Sequence, residues 1–366
     1  MSQVEHPVLA VRAITAVGVE VPMNFALGTS RGTITKAPLL LINVETEEGV
    51  TGRAYLWSYF PRAMLAIANL LKEVEERTKG ERIEPEALWS KLAERFALIG
   101  VQGIVRMAMA GFDIACWDAL AVAAKLPLVR LLGGEPRPIL AYNSCGLGLM
   151  PKDALADEAE KLLERGFRAI KLRLGYSTLE EDITAVHAVK KRILNGVALM
   201  VDYNQALAAE EALKRGRALD RENIAWLEEP IRHDDYAGAA MLARELNLPI
   251  QIGENFSLVD GMRTALDAKA CDLVMPDLER IGGITGWHRA AALAAERGMK
   301  MSSHLYSETS AHLLAVTPTA HYLEYMDWAD KVVQDPLRIV DGHAVISERP
   351  GHGVVWDKAA IERYRV

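Results

Sequence analysis

The rhythm of apolar and polar positions changes near residue 139. Before it, residues 8–57 read as β-type runs, VLAVRAITAVGVEV and APLLLINVETEEGVTG, turning at Glu47–Glu48–Gly49. Between them lies LGTSRGTITK (27–36), whose Gly, Thr and Ser content predicts a mobile loop. Helical patterns follow over 61–78, 85–98 and 103–125, the last with apolar residues at three- and four-residue spacing. Strands followed by helices indicate an α+β unit, closed by PLVRLLGGEPRP (127–138) with its paired glycines and prolines. Beyond it, short apolar runs alternate with amphipathic helical stretches: ILAYNS, RAIKLRLG, VALMVDYN, IAWLEEP, PIQIGEN, CDLVMPD, KMSSHL and YLEYMD. Eight such strand–helix units predict a (β/α)8-type barrel in the α/β class. The expected division is 1–135 for the α+β unit, 136–340 for the barrel, and 341–366 for a tail returning to the first unit.

Composition narrows the functional classes. A chain of 366 residues, half apolar and one quarter charged, can bury a large core. Its net charge of −7 argues against a nucleic-acid partner. Cys116, Cys145 and Cys271 are far apart and form no C-x-x-C motif, as expected of reduced thiols in a cytoplasmic protein. The opening MSQVEHPVLAVRAI lacks the basic-then-apolar pattern of a secretory leader. The apolar stretch 107–125 contains Asp113 and Asp118, so it reads as a buried helix and not a membrane span.

The barrel pattern focuses attention on the strand ends, where such folds place their chemistry. Within AIKLRLGY (169–176) a period of two puts Lys171 and Arg173 on one face. The following strands close on Asp202, Glu228, Glu254, Asp277, His304 and Glu324, at successive spacings of 31, 26, 26, 23, 27 and 20 residues. One ionisable residue per strand therefore converges on one mouth. Asp202, Glu228 and Glu254 come from adjacent strands, and three crowded carboxylates call for a compensating cation. An all-oxygen set favours a hard ion, Mg²⁺. Any one of these carboxylates alone would more often be a helix cap or a solvated charge; three in register are not. Asp277 and His304 fall on neighbouring strands, as an orienting carboxylate and a base would. A histidine satisfied in the core is the structural alternative.

Together these residues resemble the enolase superfamily, in its mandelate racemase subgroup. The resemblance rests on VDYNQ (201–205), WLEEP (226–230), GEN (253–255), MPD…RIGG (275–283), SSHL (302–305) and LE (323–324). APLLLINVETEEGV, GIVRMAMAGFDIACWDAL and PLVRLLGG extend it over nearly the whole chain. It implies an α+β capping domain on a modified (β/α)7β barrel, one Mg²⁺ held by Asp202, Glu228 and Glu254, and a small-molecule carboxylate as substrate. His304 with Asp277 becomes a base for the α-proton. Mg²⁺, Lys171 and a protonated Glu324 would stabilise the resulting enolate. Ser144 and Asn204 match residues near the substrate carboxylate or the metal. Leu27, Ile34, Trp57, Tyr59, Leu305 and Met326 would line the pocket, and Arg31 would meet a second carboxylate or a hydroxylated chain. The resemblance also implies a homo-oligomer.

One position departs from the pattern. In mandelate racemase-like sequences a second lysine, in K-x-K, serves the opposite face of the enolate; here it is Arg173. Arginine has five donors and no acceptor, so it clamps an oxyanion and is a poor base. This favours a one-base dehydratase of an acid sugar over a racemase or epimerase of a 2-hydroxy acid. A Schiff-base role for Lys171 and a non-catalytic acid-binding protein are the alternatives from other classes.

Overall fold

A computed structural model describes residues 7–366; the reading of MSQVEH as free of a leader pattern lies outside the described residues. The chain opens with a three-stranded antiparallel sheet of β1 (Val11–Thr29), β2 (Gly32–Thr46) and β3 (Thr51–Trp57). Helices α1 (Pro61–Thr78), α2 (Pro85–Arg95) and α3 (Gly103–Ala123) follow. Gly52 on β3 lets α3 lie directly on the sheet, because a Cβ there would come within 1.9 Å of the Ala115 carbonyl oxygen. The segment 27–36 is not the loop that its composition suggested. β1 and β2 continue through it, Leu27 pairing with Ile34 and Thr29 with Gly32, so it forms the arm of a long hairpin. Its β-branched Thr29, Thr33, Ile34 and Thr35 suit an extended backbone, and only Ser30 and Arg31 form the turn.

A short helix α4 (Leu128–Leu131) leads into the barrel. Its parallel strands are β4 (Ile139–Asn143), β5 (Ala169–Arg173), β6 (Ala198–Asp202), β7 (Leu227–Glu228), β8 (Ile250–Ile252), β9 (Leu273–Val274), β10 (Lys300–Met301) and β11 (Leu323–Tyr325). β11 pairs with β4 in parallel register, Glu324 opposite Tyr142, and closes the ring. Helices α5 (Lys152–Leu162), α6 (Leu179–Lys190), α7 (Ala209–Leu219), α8 (Tyr236–Glu245), α9 (Leu258–Asp267), α10 (Leu278–Ile281), α11 (Gly283–Glu296) and α12 (Ser307–Val316) cross between the strands. No helix follows β11 directly, so the barrel is (β/α)7β. β12 (Arg338–Val340) and β13 (His343–Val345) form a hairpin whose second strand adds antiparallel to β4. The remaining chain, with α13 (Lys358–Tyr364), returns to the first unit: Trp356 Nε1 donates to Asn43 Oδ1 at 2.7 Å, and Val366 N to the Gly18 carbonyl.

The period of two along each barrel strand sorts its residues. Ile170 and Leu172 join the outer core beneath the helices. Tyr142, Ala169, Met200, Trp226 and Leu273 form a separate apolar cluster inside the barrel. Lys171, Asp202 and Glu228 each lie two residues beyond a member of that cluster, so they stand on the same inward face one layer higher. The polar layer therefore rests on an apolar floor, and the low dielectric beneath it strengthens every charge interaction above.

Candidate active site

All twelve predicted site residues touch one another or line one cavity, Arg31 and Tyr59 from the first unit and the rest from the ends of the barrel strands. Ser144 does not line the cavity but hydrogen-bonds Arg173 and Glu324. The cavity, about 270 Å³ in volume, is lined by Lys171, Arg173, Asp202, Asn204, Glu254, His304 and Glu324, with Leu27, Arg31, Ile34, Trp57, Tyr59, Leu305, Met326 and Trp328 on the side of the hairpin arm. Lys171 is 1% exposed and sits at the centre. Its ammonium lies 2.5 Å from Glu228 Oε1, 2.9 Å from Glu324 Oε1 and 3.2 Å from Asp202 Oδ2. Burial pulls the Lys171 pKa down, but these three carboxylates outweigh it and hold the ammonium above its ordinary range. Burial likewise pushes Glu228 up, against the pull of Lys171.

Glu254 reaches the site differently. β8 ends at Ile252, and Gly253, with φ of +146°, turns the chain where a Cβ would come within 2.7 Å of Met275 N. The carboxylate that follows lies 3.2 Å from His304 Nε2. The other imidazole nitrogen, Nδ1, lies 2.6 Å from Asp277 Oδ2. Burial pulls the imidazole down, but Glu254, Glu324 and Asp277 together raise it to about 9.

Glu324 departs from expectation. As a donor to a carboxylate it would be protonated, yet the facing Lys171 ammonium and His304 outweigh burial and hold it below the carboxylate range. Its oxygens accept from Lys171 and, at 2.9 Å, from the Leu305 N–H. The Arg173 guanidinium makes three hydrogen bonds among the described residues, all to oxygens of Ser144 and Gly146. Nη1 donates to the carbonyls of Ser144 (2.8 Å) and Gly146 (2.7 Å), and Nη2 to Ser144 Oγ (3.0 Å). Its buried Nε has no partner among the described residues. Arg31, on the hairpin turn, is exposed and donates to the Gln205 carbonyl at 3.0 Å.

No three His, Cys, Asp or Glu side chains among the described residues stand close enough together, as they lie, to hold a metal ion. The reason is visible: the Lys171 ammonium reaches between Asp202 and Glu228, and Glu254 turns to His304. The donor chemistry nonetheless fits a hard divalent cation. Asn204 donates to Asp202 through its backbone N–H (2.7 Å) and Nδ2 (3.1 Å), while its Oδ1 is a buried acceptor with no donor among the described residues. An orphan oxygen beside crowded carboxylates is the arrangement a cation relieves.

Sequence reasoning assigned no role to Gln205, Glu229, Asn255 and Arg280, which also line the cavity. The Glu229 carboxylate accepts from Gln205 (2.9 Å) and Asn255 (2.9 and 3.1 Å). All four lie in the motifs VDYNQ, WLEEP, GEN and RIGG, so their position in those motifs was the available signal. Trp328, which stacks on Trp57 with ring centroids 4.1 Å apart, carried none.

A barrel whose strand ends present a lysine, three carboxylates and a His–Asp pair beneath a capping unit defines the enolase-type class. The family comparison agrees: residues 12–133 match the N-terminal domain of mandelate racemase/muconate lactonizing enzymes, and residues 154–360 match the enolase C-terminal domain-like family. The chain belongs to the mandelate racemase/muconate lactonizing enzyme group of the enolase superfamily, and is an enzyme of that superfamily. It is 32% identical to an L-talarate/galactarate dehydratase of Salmonella typhimurium, over 89% of this chain and 82% of that one. It is 30% identical to a 3,6-anhydro-alpha-L-galactonate cycloisomerase of Streptomyces coelicolor, over 92% of this chain and 94% of that one. A crystal structure of an enolase from Bradyrhizobium, complexed with magnesium and mandelic acid, superposes with a TM-score of 0.94 at 38% identity, covering 98% of this chain and 99% of that one. No helix among the described residues is long and apolar enough to cross a membrane.

Proposed function

We propose that the protein, with Mg²⁺, removes the α-proton of a 2-hydroxy carboxylate and dehydrates it, the substrate being an acid sugar. The observation that carries this reading is Arg173. It occupies the second-base position, is pinned through Ser144 and Gly146, and offers donors where a racemase needs an acceptor. Asp202, Glu228 and Glu254 would hold Mg²⁺, which supplies Lewis-acid polarisation of the substrate carboxylate. The Lys171 ammonium donates to a carboxylate oxygen as charge accumulates there. Arg173, which lines the same cavity, adds a fixed positive charge beside that oxygen. His304 Nε2 takes the α-proton, with Nδ1 anchored on Asp277. The electron pair left on the α-carbon forms the C=C bond as the β-hydroxyl departs. The imidazolium returns its proton to that hydroxyl, releasing water and an enol that tautomerises to the 2-keto-3-deoxy acid. Glu324, as the partner of Lys171, keeps the ammonium charged and aimed.

A second reading is favoured by the apolar wall of Leu27, Ile34, Trp57, Leu305, Met326 and Trp328, which suits an aryl or alkyl 2-hydroxy acid and a racemase. Proton NMR of the Mg²⁺-loaded protein in D₂O, against a panel of acid sugars and mandelate-like acids, separates the two. Loss of the α-proton from one enantiomer with a 2-keto-3-deoxy product supports dehydration; deuterium in both enantiomers supports racemisation. No exchange with any acid overturns both and leaves an acid-binding protein. We propose in addition the division at 1–135, 136–340 and 341–366, a cytoplasmic home and a homo-oligomer, the last to be tested by light scattering.

A further inference from the structure

We propose that Arg280 is a positioning residue for the proton-transfer pair, latched by Tyr59 of the N-terminal unit. The proposal rests on the reading that His304 takes the α-proton.

Arg280 belongs to α10, the four-residue helix that follows β9. Asp277 caps this helix: its Oδ1 accepts from the backbone N–H of Glu279 (2.9 Å) and of Arg280 (3.1 Å). Its other oxygen, Oδ2, is the one on His304 Nδ1. A tilt of α10 therefore turns the carboxylate that sets the angle of the imidazole. The Arg280 guanidinium fixes that tilt at two points. Nη1 donates to the Glu254 carbonyl at 2.8 Å, and Nη2 donates to the Tyr59 hydroxyl. The guanidinium also lies over the Tyr59 ring, Cζ 5.1 Å from its centroid. Glu254 is the residue whose carboxylate lies against His304 Nε2. One side chain thus ties together the residues on both sides of the imidazole.

The anchor lies in the other unit. Tyr59 follows β3 and has φ of +60°, a left-handed conformation that an aromatic residue rarely adopts. Its ring meets Trp57 edge-on, with centroids 5.6 Å apart, and Trp57 stacks on Trp328. Packing thus holds a backbone that tyrosine does not choose, in the place where its hydroxyl meets Arg280. Such over-determined positions cluster at functional sites. The planar fork of arginine is what permits two fixed hydrogen bonds at once; lysine would keep the charge and lose the geometry.

The test uses the full-length Mg²⁺-loaded protein and the variants Tyr59→Phe, Arg280→Lys, Arg280→Met and Tyr59→Phe/Arg280→Met. The readouts are kcat and KM for α-proton exchange, and the downfield imidazole N–H proton of His304, assigned by its loss in His304→Asn. Arg280→Met is expected to lower kcat about tenfold to a hundredfold, with KM within about threefold, because small misplacements of a catalytic group act on rate. Its imidazole signal is expected to move, and Arg280→Lys to restore only part of the rate. Tyr59→Phe, which removes one hydroxyl and keeps the ring, should shift both readouts the same way by less. The double variant should be no worse than Arg280→Met, since both act through one contact. A loss carried by KM alone, multiplicative effects in the double variant, or an unmoved signal with unchanged kcat each overturn the proposal. If no acid is turned over, the α-proton reading falls, and the imidazole signal alone then decides whether Arg280 positions the ring. If Arg280→Met does not fold, Tyr59→Phe decides by the same two readouts.

Discussion

Arg173 and Ser144 are joined twice, Arg173 Nη1 to the Ser144 carbonyl at 2.8 Å and Nη2 to its hydroxyl at 3.0 Å. The guanidinium is therefore held as a fixed donor, and its replacement by lysine is informative. Arg173→Lys introduces a group that loses a proton where arginine does not. We expect this variant to place deuterium in both enantiomers of a 2-hydroxy acid. Arg173→Met should instead lower kcat/KM by about a hundredfold or more, the loss typical of a missing oxyanion donor. If Arg173→Lys still exchanges one enantiomer only, Arg173 does not stand at the second-base position.

His304→Asn is expected to reduce α-proton exchange by about 10² to 10⁴. Asp277→Asn leaves the imidazole in place but removes its orienting charge, so most of the rate should go while Mg²⁺ affinity stays. Isothermal titration with Mg²⁺ beside the exchange assay checks both; full activity in His304→Asn would remove it as the base.

Chelation should abolish exchange, with Mg²⁺ restoring it. Binding to the folded state alone also raises stability, by about 2.7 kcal/mol when the ion is at a hundred times its Kd. The melting temperature of the wild type should therefore rise with Mg²⁺, and that of Asp202→Asn should not. A Mg²⁺-dependent melt that survives Asp202→Asn would place the ion elsewhere.

Asp113 ties α3 of the first unit to α11 of the barrel, accepting from Thr285 Oγ1 at 2.5 Å and Thr285 N at 3.0 Å. Burial raises its pKa from 3.8 to about 7, only partly opposed by those hydrogen bonds. Between those values the unfolded chain releases this proton before the folded one does. Stability from this group is thus greatest at low pH, falls as pH rises to about 7, and is flat above. The full effect is on the order of 4 kcal/mol. Denaturant unfolding at about pH 5 and about pH 8 should show Asp113→Asn with the smaller difference; equal slopes for both proteins would contradict the raised value.

Gly52→Ala should destabilise the first unit by about 1–3 kcal/mol or more, through overpacking against α3. The added Cβ would press on backbone at Ala115 and Ala119, which cannot rotate away. A thermal melt matching the wild type would mean that α3 shifts freely on the sheet.

Much of this was legible from residues 139–324, because a barrel strand is short, inward positions alternate, and each unit contributes one polar residue at its end. The register of Lys171, Asp202 and Glu228 above the apolar floor follows from that alternation. The hairpin arm at 27–36 was not legible, because turn-type composition says little about a segment whose partner strand supplies the hydrogen bonds. The state of Glu324 was not legible either: its ionisation depends on Lys171, 153 positions earlier in the chain and 2.9 Å away.

The sequence by itself determined which strand-end charges, from Lys171 round to Glu324, meet at the mouth of the barrel, since strand period and unit length are local properties. It also determined that arginine stands where a lysine base is expected, because that is a matter of residue identity. The tertiary structure alone decided how those charges are paired. Lys171 holds three carboxylates, Arg173 is pinned to Ser144 and Gly146, and Arg280 reaches from α10 to Tyr59. Such pairings depend on distances across the barrel and between the two units, where burial multiplies each charge interaction, and no local pattern encodes those distances.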